Sequence, residues 1–229
     1  MKLIERNHDI ICHENDLEHL FTLENFPVFM GCKNPEETLD LTTDMKWWIS
    51  KKTGVIQLNP LIPLDVLYSL SHNSGVVGKI WSDHHKAFSS FIQKYCVENV
   101  LEIGAGHGEL CKNYTNENQN TKWTIIEPNP KIKSKHNVKV IKGLFDSNFE
   151  ISDNVDAIIH SHFLEHVYEP LETIRNISKK IKENTLHFFS VPRFDEMLKR
   201  KYTNCINFEH TIFLSEKHID YMLKLCGFK

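Results

Sequence analysis

From Glu98 onward the chain repeats one alternation, and that alternation restricts its fold more than any other feature. Short apolar runs recur at Val100-Leu-Glu-Ile103, Trp123-Thr-Ile-Ile126, Val138-Lys-Val-Ile141, Val155-Asp-Ala-Ile-Ile159 and Leu186-His-Phe-Phe189. Between several of them lie helical stretches, clearest in Pro170 to Lys182, where Leu171, Ile174, Ile177 and Ile181 share one face. Strands joined by crossover helices form a parallel sheet with helices on both sides. The expected class is therefore α/β with a doubly wound sheet.

The stretch ahead of this pattern differs. Lys79 to Tyr95 sets Trp81, Phe88, Phe91, Ile92 and Tyr95 at three- and four-residue steps, which predicts a helix leading into the core. Before about Asn73 there is no long periodic helix, and Phe26-Pro27, Asn34-Pro35, Asn59-Pro60 and Pro63 read as short strands and turns. Met45 to Ser50 and Val55 to Leu58, joined by Lys51-Lys-Thr-Gly54, make a hairpin with glycine in the turn. The expected organisation is an appendage over 1–73 and a main domain over 74–229.

Composition narrows the function. At 41% hydrophobic and 25% charged, the chain has ordinary globular usage and folds. Its net charge of -3, with dispersed Lys and Arg, offers no basic stripe to a phosphate backbone, so nucleic acid is excluded as partner. No apolar run approaches the ~20 residues of a membrane span, and Met1 to Asp9 lacks the apolar core of a signal peptide. A cytoplasmic location is expected, with no membrane partner. The six cysteines, Cys12, Cys32, Cys96, Cys111, Cys205 and Cys226, stand singly with no CxxC pair. They read as reduced packing residues, and no metal site is expected.

The most informative run is Val100-Leu-Glu-Ile-Gly-Ala-Gly-His-Gly-Glu109. A strand ends at Ile103, and Gly104, Gly106 and Gly108 let the backbone turn tightly toward a ligand near a helix start. A dinucleotide fingerprint needs glycine where this chain has Glu109, and Glu102 adds a carboxylate on the strand, which suits a cationic ligand better than a pyrophosphate. One strand later, Glu127 stands at a strand tip, placed to accept hydrogen bonds from ribose hydroxyls, with Pro128 beside it. His160, His162 and His166 follow the fourth strand-like run. His162 and His166 are four apart, which is also metal-ligand spacing on a helix, but no third ligand is evident in the sequence.

Glu102, Gly104, Gly106, Gly108 and Glu127 together resemble the motif of the class I S-adenosylmethionine-dependent methyltransferases. The resemblance implies a Rossmann-like sheet and S-adenosyl-L-methionine as cofactor, with S-adenosyl-L-homocysteine as product. It places the methionine part of the cofactor on the glycine loop and the adenine against Gly143-Leu-Phe-Asp146, here Leu144 and Phe145. His160, His162 and His166 then fall beside the sulfonium. Asn207-Phe-Glu-His-Thr-Ile-Phe-Leu-Ser215 and Gly227-Phe228 resemble bacterial sugar C-methyltransferases, whose Glu-His pair lies over the acceptor. On that resemblance His210 is the first candidate for the base, with Glu209 holding its tautomer or binding acceptor hydroxyls. His162 and His166 position the acceptor, or one of them is the base instead. The alternative is a solvated polar pair ahead of a final helix with Ser215 as its N-cap, and the functional reading is preferred.

That family carries an N-terminal zinc module; Phe26 to Gly31 and Val55 to Leu58 look like its remains, without the thiols. Lys229 falls where such enzymes begin their last strands: either the natural chain continues past it, or the amino-terminal segment or a second copy covers the edge at Leu186 to Phe189. The kinship points to a small-molecule acceptor: a sugar, nucleotide sugar or phosphorylated precursor of surface polysaccharide, such as capsule. Oxygen methylation is the first reading. Carbon methylation of a keto sugar nucleotide and an inactive cofactor-binding subunit are the alternatives, and a nicotinamide dehydrogenase is disfavoured by Glu102 and Glu109.

Overall fold

The computed structural model describes residues 1–29, 41–69, 78–151 and 154–229. The expected turn at Asn34-Pro35, Cys32 and the boundary at Asn73 lie outside them. In chain order the elements are β1 (Leu17–Pro27), β2 (Thr42–Ser50), β3 (Ile56–Leu58), α1 (Leu64–Leu67), α2 (Lys79–Gln93), β4 (Asn99–Ile103), α3 (Glu109–Glu117) and β5 (Lys122–Glu127). They continue with β6 (Val138–Lys142), β7 (Ala157–Ser161), α4 (Pro170–Lys180), β8 (Leu186–Ser190), α5 (Phe194–Lys199), β9 (Ile212–Phe213) and α6 (Glu216–Leu225). The chain divides into two compact units: the first takes in Met1–His72, Leu164–Arg175 and Val191–Lys229, the second Asn73–Phe163 and Asn176–Ser190.

The second unit holds a five-stranded sheet in the order β6-β5-β4-β7-β8. All its pairings are parallel, with Ile103 beside Ile126 on one side and His160 on the other. All five strand-like runs became strands, because Val, Ile and Trp buried on a pleated surface each contribute about 1.5 to 3 kcal/mol. Val100, Trp123, Ile125, Val138, Ala157 and Ile159 form one core with Phe88 and Ile92 of α2 and Leu110 and Tyr114 of α3. Phe91 and Tyr95, on the predicted apolar face, stay 44% and 48% exposed, each with its ring edge-on to Phe188. Strand order reverses between β4 and β7, and in open sheets of this kind ligands bind beyond the strand ends at such a reversal.

The first unit is built on an antiparallel sheet, β1-β2-β3-β9. The expected hairpin is present: Trp47 pairs with Leu58, and Gly54 sits at φ +72° in the turn. β9 adds Phe213 opposite Ile56, where Trp47 and Phe194 pack on the Phe213 ring at 4.5 and 4.4 Å. Residues from the carboxy-terminal third therefore complete the sheet of the amino-terminal segment, a division different from 1–73 and 74–229. Ser215 caps α6 in a capping box with His218, whose Nε2 also meets the Thr53 carbonyl at 3.0 Å. Among the described residues no helix is long and apolar enough to cross a membrane, and Cys12, Cys96, Cys111, Cys205 and Cys226 form no disulfide.

Candidate active site

The glycine loop leaves β4 with three consecutive left-handed glycines, Gly104, Gly106 and Gly108, at φ +72°, +53° and +69°. A side chain at 108 would bring its Cβ to 2.7 Å from Ile132 Cδ1, and one at 104 to 3.3 Å from Phe163 Cδ2. At 106 nothing stands within 4 Å of that position, so bare backbone faces open space where α3 begins. The Glu127 carboxylate closes this cradle: Oε2 accepts from Gly106 N–H and Oε1 from Asn129 N–H, both at 3.0 Å. Each carboxylate oxygen has a second lone pair, so the pair can still accept from vicinal hydroxyls. Gly143 N–H donates to the Glu127 carbonyl at 3.1 Å and brings the loop after β6 to the same strand tip. On that loop Leu144 is 52% exposed and Phe145 packs on Phe149.

Glu102 is buried in β4 and accepts a hydrogen bond from Trp123 Nε1 at 2.7 Å. Burial pushes its carboxyl up to about 7; the indole bond opposes the rise and the Glu127 charge adds to it. A carboxylate so destabilised gains most from a cation brought to it, as a ligand amine would be.

His160 lies on β7 with its ring in the core, Nε2 2.9 Å from His187 Nε2 and its face stacked on Phe189. Burial, then the neighbouring His187, hold it well below the usual histidine range, so it is neutral. His162, just past β7, is one of the few non-glycine residues in the left-handed region, at φ +51°, and its N–H is tied to the Ser190 carbonyl at 2.9 Å. Its ring stands edge-on to Trp81 at 4.7 Å and to His84 at 5.2 Å. His84 Nε2 meets Ser161 Oγ at 3.0 Å and Ser190 Oγ at 3.3 Å, and the two hydroxyls are 2.8 Å apart. Burial, then His162 and His85, lower His84 to about 4, so this imidazole too is neutral near pH 7. His84 and His85 escaped the sequence reading. They occupy the same helical stripe as Trp81 and Phe88, but a search for apolar letters passes over them.

His166, Glu209 and His210 come together in the first unit, joined by Glu165. Glu165 is fully buried. His166 stands between carboxylates, with Nε2 3.9 Å from Glu165 Oε1 and Nδ1 3.9 Å from Glu209 Oε2, and its ring is 5.0 Å from that of His210. His210 Nδ1 lies 3.0 Å from the Cys205 carbonyl and 3.2 Å from the Asn207 amide nitrogen. A carbonyl only accepts, and it is the nearer group, so Nδ1 carries the proton and Nε2 the basic lone pair. The tautomer of His210 is thus set by the Cys205 backbone, while Glu209 turns to His166. Thr211 N–H donates to the Glu165 carbonyl at 2.8 Å, binding the two histidine loops. Arg6 is buried and donates to the carbonyls of Leu58 at 2.9 Å, Tyr168 at 3.0 Å and Thr211 at 2.7 Å. Burial lowers its guanidinium to about 10, against the opposing pull of Glu169 and Tyr168. Nothing in the sequence separates Arg6 or Glu165 from other charged letters; their burial appears only in three dimensions.

Residues 80–229 match the family model described as a methyltransferase domain. Among solved structures, human N-acetylserotonin methyltransferase in complex with SAM is 16% identical with a TM-score of 0.54, over 66% of this chain and 47% of that one. An O-methyltransferase family protein from Burkholderia thailandensis is 14% identical with a TM-score of 0.51, over 65% and 51%. The S-adenosylmethionine-dependent methyltransferase SibL is 13% identical with a TM-score of 0.52, over 65% and 50%. The match spans about half the length of these three chains, and at such identities it speaks for the fold alone. No curated protein matches the sequence.

Proposed function

The chain belongs to the methyltransferase-domain family, and we propose that it moves a methyl group from S-adenosylmethionine to an oxygen of a small polar acceptor. The observation that carries the cofactor assignment is the cradle of Gly104, Gly106 and Glu127, where backbone without side chains faces a carboxylate able to take two hydroxyls. The cofactor supplies an electrophilic methyl on a sulfonium. The protein's part is orientation and proton removal. Glu127 holds the ribose, Glu102 faces the amino end with the glycine loop, and Leu144, Phe145 and Pro128 border the adenine. His160 takes part through the end of its strand, its ring being committed to the core.

On the acceptor side we assign the base to His210, whose Nε2 carries the lone pair because Nδ1 is bonded to Cys205. Glu209 and His166 orient acceptor hydroxyls beside His210, while His162 stands on a loop of the other unit. The acceptor class, a sugar, nucleotide sugar or phosphorylated surface-polysaccharide precursor, rests on the Glu209-His210 resemblance to sugar C-methyltransferases. The same base would serve carbon methylation by taking a proton next to a carbonyl.

Two measurements test the proposal. Calorimetry should give saturable S-adenosylhomocysteine binding and no NAD binding; the opposite result would remove the cofactor. Transfer of labelled methyl across a panel of such acceptors, with product NMR, then locates the methyl. His210→Asn should keep cofactor affinity and lose roughly 10² to 10⁴ in kcat. A raised KM with kcat unchanged would move the base to His166 or His162.

A further inference from the structure

We propose that Glu165, His166 and His210 bind a divalent transition-metal ion, and that its occupancy blocks turnover. The binding half stands on geometry alone; the inhibitory half rests on the reading of His210 as proton acceptor. One ligand-type atom from each of the three residues lies within 4.8 Å of the other two, with Glu165 buried and both histidines partly so. His166 has a carboxylate on each side of its ring, Glu165 at Nε2 and Glu209 at Nδ1. A histidine backed by a carboxylate on one nitrogen is oriented to offer the other to a metal. His210 is held more firmly, with Nδ1 at 3.0 Å from the Cys205 carbonyl, where the Glu209 carboxylate stands 3.9 Å from His166 Nδ1. Both Nε2 atoms and the Glu165 carboxylate then make a two-histidine, one-carboxylate donor set with a fourth position for water. Imidazole nitrogen in such a set selects zinc-like ions over Mg²⁺ or Ca²⁺, which prefer oxygen. Donors about 2.1 Å from a tetrahedral ion stand ~3.4 Å apart. Glu165 Oε1 and His166 Nε2 close to that spacing from 3.9 Å by a small side-chain swing.

An ion on His210 Nε2 would occupy the electron pair that has to receive the acceptor's proton. The test uses the full chain, stripped with chelator and dialysed. Co²⁺ titration followed by visible absorbance and Zn²⁺ titration by calorimetry should each show one ion per chain. His166→Ala and His210→Asn should each weaken Zn²⁺ at least tenfold while the far-ultraviolet circular dichroism and a cooperative urea transition are kept, showing that both units still fold. Glu165→Gln tests fold and ion together because Glu165 is fully buried, so His166→Ala decides. Zn²⁺ should abolish methyl transfer, and chelator should restore it. Absence of Co²⁺ bands and of binding heat, or Zn²⁺ affinity unchanged in His166→Ala and His210→Asn, overturns the site and leaves the methyl-transfer reading intact. Zn²⁺ that binds there yet leaves turnover unchanged or raises it overturns the inhibition, and with it the role of His210 as base.

Discussion

Glu102→Gln separates what the glycine-loop strand does for stability from what it does for binding. Folding moves the Glu102 carboxyl from 4.5 to about 7, with burial as the main cause. Between those values the folded state holds the proton more tightly than the unfolded chain, so stability falls as pH rises through the window and levels off above it. The cost works out at under ~1 kcal/mol at pH 5 and about 3 kcal/mol at pH 8. Glutamine keeps an oxygen for the Trp123 indole, 2.7 Å away in the native pair, and carries no charge. In urea unfolding followed by tryptophan fluorescence, Glu102→Gln should therefore exceed the parent by under ~1 kcal/mol at pH 5 and by about 3 kcal/mol at pH 8. The same variant should bind S-adenosylhomocysteine more weakly, because the carboxylate proposed to meet its cationic amine is gone. A stability difference independent of pH, or a variant less stable at pH 8, would refute the reasoning.

Further substitutions test other parts. Glu127→Ala removes the acceptor of the Gly106 and Asn129 N–H groups and should weaken S-adenosylhomocysteine binding by roughly 1 to 3 kcal/mol in calorimetry; unchanged affinity removes the ribose assignment. Gly108→Ala puts a Cβ at φ +69° and 2.7 Å from Ile132 Cδ1, so it should lower stability by about 1 to 3 kcal/mol, partly recovered by Ile132→Val. A thermal melt without loss would show the left-handed glycine to be dispensable. Arg6→Met leaves the Leu58, Tyr168 and Thr211 carbonyls without their donor and should cost about 3 kcal/mol in denaturant unfolding. Arg6→Lys should recover only part, since one ammonium nitrogen cannot stand at both Nη positions, one on Tyr168 and the other on Leu58 and Thr211; full recovery would mean that charge alone matters.

The sheet was legible because its evidence is local. Val100 to Ile103 and Val155 to Ile159 are short apolar runs whose composition selects buried strands, and the observed strands start within two residues of them. The glycine loop was legible for the same reason, since Gly104, Gly106 and Gly108 mark left-handed backbone that other residues avoid. Polar residues that owe their place to long-range packing were harder to read. Glu165 and His210 are 45 positions apart, and no spacing rule brings them together. His84 lies on a helix that was foreseen, but its meeting with Ser161 and Ser190 depends on the register of β7 against β8. The pairing of β9 with β3 left no trace in the sequence because β9 has two residues, too few to show a period.

That short strand changes what the amino-terminal segment is for. β9 pairs with β3 through Phe213 and Ile56, and the Leu58 N–H donates to the Thr211 carbonyl at 2.9 Å, so Glu209, His210 and Thr211 are held from the side of the first sixty residues. Arg6 adds donors to Thr211 and to Tyr168, two residues past His166. Thr211 in turn binds the Glu165 carbonyl through its N–H and the Val167 carbonyl through its hydroxyl at 2.9 Å. Loops ordinarily run over the surface and sample more than one conformation. The two histidines proposed to act together sit on loops fixed by backbone bonds, and those bonds converge on β3 and the buried Arg6. The segment that reads in sequence as a degenerate module with its thiols gone has a structural task independent of any thiol: it sets the two histidine loops.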